Sequence, residues 1–150
     1  MKNKAIILRC NTLWQAIARL RPCAVCGITH NPYDISMHIH GHHEIGRGSL
    51  FYLHMLENQT PLCTRHHTGG IEGTRTILSP HGTPVDYEIW RSRERPEQQM
   101  WLNSMREAEN WMRARNQVRR PPDLEELQQT EKHLTEFLAA GVPYVFSENG

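Results

Sequence analysis

HIHGHHEIGRG, residues 38–48, puts four histidines into six consecutive positions and then turns through a glycine-flanked arginine. Further on, PLCTRHH (61–67) brings a histidine pair directly behind a cysteine, and upstream CAVCG (23–27) supplies two more cysteines. Imidazole and thiolate are the two side chains that bind transition metals best. Crowded in this way, they point to two metal sites built side by side.

The first is a zinc staple. Cys23-x2-Cys26 and Cys63-x2-His66 are two short knuckles, each offering two ligands from one turn. Four such ligands close a tetrahedron and leave no position for water, so the metal holds the fold rather than doing chemistry. One CxxC alone is a weak signal; a second knuckle of matching spacing makes the pair specific. Cys10, the remaining cysteine, is read as a buried or free thiol.

What is left over, in order, is His42-His43, Asn58 and His67. Successive helix residues point about 100° apart, so His66 can serve the zinc while His67 faces a second site.

The rest of the chain sets bounds. It has 150 residues, 38% hydrophobic and 22% charged, with a mean hydropathy of -0.63. A core that small for the length benefits from a metal staple. No apolar run reaches the roughly 18 residues of a membrane helix, and AIIL (5–8) is too short for a signal peptide. A reducing cytoplasm is therefore expected, where paired cysteines bind metal more often than they form disulfides. The net charge is +1, yet residues 1–95 carry 11 Lys/Arg against 7 Asp/Glu, and residues 96–150 carry 6 against 9. The histidine-rich half is the basic half, the better candidate to face a phosphate backbone.

Helical spacing and an Asn11 or Thr12 cap predict a helix over 12–20, stopped by Pro22. Two short strands are expected near 37–45 and 52–56, joined by GRGS, then a short helix from Pro61 through His67 ended by Gly69-Gly70. Residues 71–95 read as loop with one strand, VDYEIW. Over 96–140 the pattern is a helical hairpin: Trp101, Met105, Ala108 and Met112 share one face, and Pro121-Pro122 break the chain. Asp123 and Glu126 then form a capping box ahead of a stripe of Leu124, Leu127, Leu134, Phe137 and Leu138, closed by Gly141. The predicted fold class is α+β: a small ββα core stapled by zinc, an N-terminal helix and a C-terminal helical hairpin. The predicted division is 1–95 (motif core 21–73) and 96–150.

HHEIGRG followed by ENQTPLCTRHH resembles the HNH endonucleases, the ββα-metal or His-Me-finger group. The likeness covers about half of the chain, and the flanking cysteines match its zinc-stapled phage and prophage members, including nucleases that enhance recombination. It implies a metal-dependent endonuclease that hydrolyses DNA phosphodiester bonds, leaving a 5′-phosphate and a 3′-hydroxyl. It places His42 and His67 as ligands of the catalytic cation, Mg²⁺ or another divalent ion. His43 falls at the general-base position, and Asn58 where an asparagine holds the base or its loop. The implied partner is DNA, with a host recombination protein or a second copy of the chain as further candidates; no membrane is implied, and the setting is a bacterial cytoplasm. A neutral imidazole can take a proton from water near pH 7, and two protein ligands leave a cation open to substrate.

The chain departs from the family in three places. His66 stands where a cysteine is common, isoleucine at 71 removes a third ligand one turn on, and His54 competes with Asn58 as the support for the base. Arg47 and Arg65, with Arg75 behind them, are the candidate phosphate contacts. Arg113, Arg115, Arg119 and Arg120 read as complements to a helix C-terminus rather than a DNA track. His38 and His40 share a strand face, either as an outer shell to the metal or as surface residues, and His30, His81 and His133 show no pattern. The alternatives are a zinc-stapled nucleic-acid-binding module without cleavage, and a zinc-dependent interaction protein that recruits a partner through its acidic C-terminal half.

Overall fold

The computed structural model describes residues 3–69 and 77–146; Gly70, Ile71 and Arg75 lie outside the described residues. The elements run α1 (Lys4–Ala18), β1 (Ile39–His43), β2 (Gln59–Cys63), α2 (Thr64–Thr68), α3 (Pro84–Glu94), α4 (Pro96–Arg113) and α5 (Leu124–Ala140), with single 3-10 turns at Ile35–Met37 and Leu56–Asn58. The class is α+β, helices around one two-stranded antiparallel sheet. No helix among the described residues is long and apolar enough to cross a membrane.

α1 begins earlier than predicted. Ile6, Cys10, Trp14 and Ile17 form one buried stripe, so the apolar residues of AIIL belong to the helix. Thr12 is no cap: inside the helix its hydroxyl donates to the Leu8 carbonyl at 3.1 Å.

β1 pairs with β2 in the register Ile39↔Cys63, Gly41↔Pro61 and His43↔Gln59. Gly41 is required here, because a Cβ at that position would lie 2.7 Å from Cζ3 of Trp14. Its outward backbone groups are taken by the Gln15 amide, which accepts from Gly41 N–H at 2.7 Å and donates to its carbonyl at 3.0 Å. The α1 side chain thus does the work of a third strand on that edge.

Three local expectations are corrected. The second strand is Gln59–Cys63, not 52–56: the carbonyls of Tyr52 and Leu53 bond to the side chains of Asn58 and His43 rather than to a partner strand. Pro61 sits in that strand, so α2 starts at Thr64. VDYEIW is not a strand but part of α3, with Pro84 in its first turn and Tyr87, Trp90 and Arg91 on its buried face.

The capping box at Asp123 and Glu126 and the left-handed Gly141 stop are present. α5 does not fold back along α4 as a hairpin, however. It packs along α1, burying Leu127 and Leu134 among Ile6, Cys10 and Trp14, with Arg9 bonded to Glu131 at 2.6 Å. The first and last helices share one core. Leu124, in the first turn of α5, stays half-exposed at 49% and outside that cluster.

Candidate metal centres

The two knuckles meet. Sγ of Cys23, Cys26 and Cys63 and a ring nitrogen of His66 all lie within 4.8 Å of one another. Cys26 Sγ is 3.8 Å from Cys63 Sγ, and His66 Nδ1 is 3.8 Å from Cys23 Sγ and 3.2 Å from Cys63 Sγ. A tetrahedral zinc sets its sulfurs about 3.8 Å apart and sulfur and nitrogen about 3.5 Å apart. The cluster can therefore hold a structural metal such as zinc. Hydrogen bonding from the Cys63 side chain, followed by the amides of Cys63, Cys26 and Val25, pulls the Cys23 thiol down to about 4 despite burial. The same contact pushes Cys63 up. Of this pair, Cys23 gives up its proton more readily, and a bound cation would favour the thiolate form of its sulfur ligands.

The second cluster joins His42 of β1, His67 of α2 and His81, a residue that no sequence pattern marks. Their ligand nitrogens lie within 4.8 Å of one another, with ring centroids 5.4 Å apart for His42–His67, 5.3 Å for His42–His81 and 5.0 Å for His67–His81. Burial, and after it neighbouring imidazoles, lowers both His42 and His67 to about 3. Both imidazoles are therefore neutral at pH 7, the form that can bind a cation. Three protein donors, unlike four, leave coordination positions open.

A hydrogen-bonded turn carries His81. Ser79 N–H donates to Thr83 Oγ1 at 3.0 Å, Gly82 N–H to Ser79 Oγ at 2.8 Å, and Thr83 N–H to the Ser79 carbonyl at 2.9 Å. α3, which follows, is docked on Glu44. That carboxylate, 1% exposed, pairs with Arg91 and accepts from Tyr87 OH at 2.7 Å and Thr60 Oγ1 at 2.6 Å. The Tyr87 ring stands edge-on to His42 at 5.9 Å. Glu44 lies two residues beyond His42, at the bend that follows β1, so one stretch supplies a candidate ligand and the anchor for the helix that follows another. The sequence held one usable signal, a carboxylate at i+2 from a metal-ligand histidine; for His81 it held none.

His43 has a different set of neighbours. Its ring stacks on Trp14 at 4.0 Å and 12°, and Nε2 lies 3.0 Å from the Leu53 carbonyl. A carbonyl only accepts, so Nε2 bears the proton and Nδ1 keeps a lone pair. Burial is the main cause that lowers His43 to about 4, with the charge of Arg47 adding to it.

Asn58 does not bond to His43. Fully buried, it accepts from Ile45 N–H at 2.6 Å and donates to the carbonyls of Ile45 and Tyr52, both at 3.1 Å. It pins the 45–52 loop, and through that loop the stretch whose Leu53 carbonyl holds the His43 ring. His54 is no substitute, since its Nε2 bonds to Asn11 Oδ1 at 2.8 Å.

Arg47 and Arg65 are exposed. His40 lies 5.6 Å from His67, roughly parallel to it, whereas His38 and His30 lie farther out. Arg119 and Arg120 end on Glu109 at 3.0 Å and Glu126 at 2.7 Å, and Arg115 lies over Trp111. No family model, curated protein or solved structure matches this chain.

Proposed function

We propose that the chain is a metal-dependent endonuclease of the HNH type that hydrolyses DNA phosphodiester bonds. The carrying observation is the open His42–His67–His81 cluster on one face of the short β1 strand, with a neutral, carbonyl-oriented His43 next in sequence to its first ligand. His42, His67 and His81 would hold a divalent cation, which would supply charge neutralisation to the reacting phosphate. His43 takes the proton of the attacking water at Nδ1, the nitrogen opposite its bond to Leu53. Asn58 is a positioning residue that holds the loop behind it. Arg47, whose charge is felt at both His43 and His67, receives a neighbouring phosphate. A zinc ion held by Cys23, Cys26, Cys63 and His66 would fix α2 to the 23–26 knuckle and so keep His67 beside His42.

The second reading is a zinc-stapled DNA-binding module without cleavage. The stacking of His43 on Trp14 and its low basicity favour it. A supercoiled-plasmid assay with and without added Mg²⁺ or Mn²⁺ separates the two. The expected result is nicking that requires the added cation; a folded, zinc-loaded protein that binds the plasmid and leaves it intact means the module.

A further inference from the structure

Several arginines of the molecule end on carboxylates: Arg9 on Glu131, Arg91 on Glu44, Arg106 on Glu88, Arg119 on Glu109 and Arg120 on Glu126. Arg19, Arg47 and Arg65 do not, and unlike Arg113 and Arg115, which also lack a carboxylate partner among the described residues, they lie in the histidine-rich half of the chain. They are exposed and form no ion pair among the described residues. They also surround the histidines. The charge of Arg19 reaches His30 and His40, that of Arg47 reaches His43 and His67, and Arg65 lies on α2 directly ahead of His66 and His67. Between these cations runs a row of imidazoles leading away from the cation cluster: His67 to His40 at 5.6 Å, His40 to His38 at 6.3 Å, and His38 to His30 at 5.3 Å.

At the far end of the row, the 31–37 loop holds up an aromatic ring. Tyr33 is 97% exposed and Ile35 64%. The loop beneath them is tightly bonded. Asn31 Oδ1 accepts from Tyr33 N–H at 2.9 Å, and Asp34 Oδ1 accepts from Ser36 N–H at 3.0 Å and from its hydroxyl at 2.7 Å. His38 Nε2 meets the Pro32 carbonyl at 3.2 Å, and Thr64 of α2 donates to the Ile35 carbonyl at 2.6 Å. The ring is therefore displayed from a platform fixed to β1 and to the helix that carries His67. A tyrosine held this way can stack on a nucleobase with little further loss of freedom. In a duplex the base faces are already stacked on each other; an unpaired strand leaves them open.

We propose that Tyr33, with Ile35 beside it, is a base-stacking platform for an unpaired DNA strand, whose phosphates lie along Arg19, Arg65 and the His38–His40 row as it enters the cation cluster. The path of the strand rests on the nuclease reading; the stacking platform does not.

The test measures binding of a short fluorescein-labelled single strand carrying one 2-aminopurine, and of the same strand in duplex. The protein is full-length and zinc-loaded, in the His43→Ala background with Mg²⁺ so that nothing is cut. The expected result is tighter binding of the single strand and quenching of 2-aminopurine. Tyr33→Ala then weakens the single strand roughly 5- to 100-fold and abolishes the quench, Tyr33→Trp restores both, and duplex binding is unchanged. Equal binding by Tyr33→Ala, or preference for the duplex, overturns the proposal and leaves the Tyr33–Ile35 tip as a contact for another protein. Cation-dependent plasmid nicking by the otherwise wild-type protein is scored alongside. Nicking without Tyr33-dependent binding overturns only the platform, whereas Tyr33-dependent binding without nicking overturns only the nuclease.

Discussion

Glu44 and Arg91 form an ion pair almost wholly inside the protein, their side chains 1% and 6% exposed. The pair ties the end of β1 to the middle of α3, and so ties the strand that carries His42 to the helix that follows His81. Removing one partner of a buried pair strands the other without solvent, typically at a cost of about 3–5 kcal/mol. Glu44→Gln is expected to lower unfolding stability by that order and to weaken cation binding at the histidine cluster. The thiolate-to-cobalt absorption of the cysteine site should survive, which makes Co²⁺ titration followed by visible spectroscopy the check. Glu44→Leu combined with Arg91→Met should recover stability, because it leaves no charge unpaired. Loss of both metal signals together would mean a general structural collapse instead.

The final helix belongs to the core. Leu134 is fully buried in the cluster built by Ile6, Cys10 and Trp14. Leu134→Ala is expected to cost about 2–5 kcal/mol, read as a shifted midpoint in urea with an unchanged slope. A detachable appendage would instead give a loss near zero, or a separate transition.

The buried His54 sets a pH limit. Burial, followed by the nearby His43, lowers it to about 4 in the folded protein, against an ordinary 6.5 when unfolded. The unfolded chain then binds more protons between those values, so stability rises with pH across that window. This contribution is whole above about 6.5 and is lost as pH falls through about 4. His54→Gln should flatten the slope of stability against pH between these limits, measured by urea unfolding at fixed ionic strength. An unchanged slope would place the titration elsewhere.

How far the sequence revealed all this depends on how local each feature is. The zinc knuckles were legible because each ligand pair comes from one short turn, and only the meeting of Cys23/Cys26 with Cys63/His66 required folding. His42 and His67 were legible through a spaced motif. His81 was not, since the 79–83 turn that carries it has no metal-binding pattern and reaches the site only through the docking of α3 on Glu44. VDYEIW alternates well enough to pass for a strand, but Pro84 and the i, i+3, i+4 burial of Tyr87, Trp90 and Arg91 make it a helix. The pairing of α5 with α1 spans nearly the whole chain, and a stripe of leucines does not say which helix it will meet.

The central claim is that two metal sites have separate tasks, one holding the fold and one serving His43. It is tested most directly by measuring bound zinc and plasmid nicking together on wild type and His43→Ala. The expected result is equal zinc in both proteins, with cation-dependent nicking in wild type that falls by roughly 100-fold or more in the variant, the usual loss when a general base is removed. Equal nicking by the two proteins, with zinc retained, would contradict it.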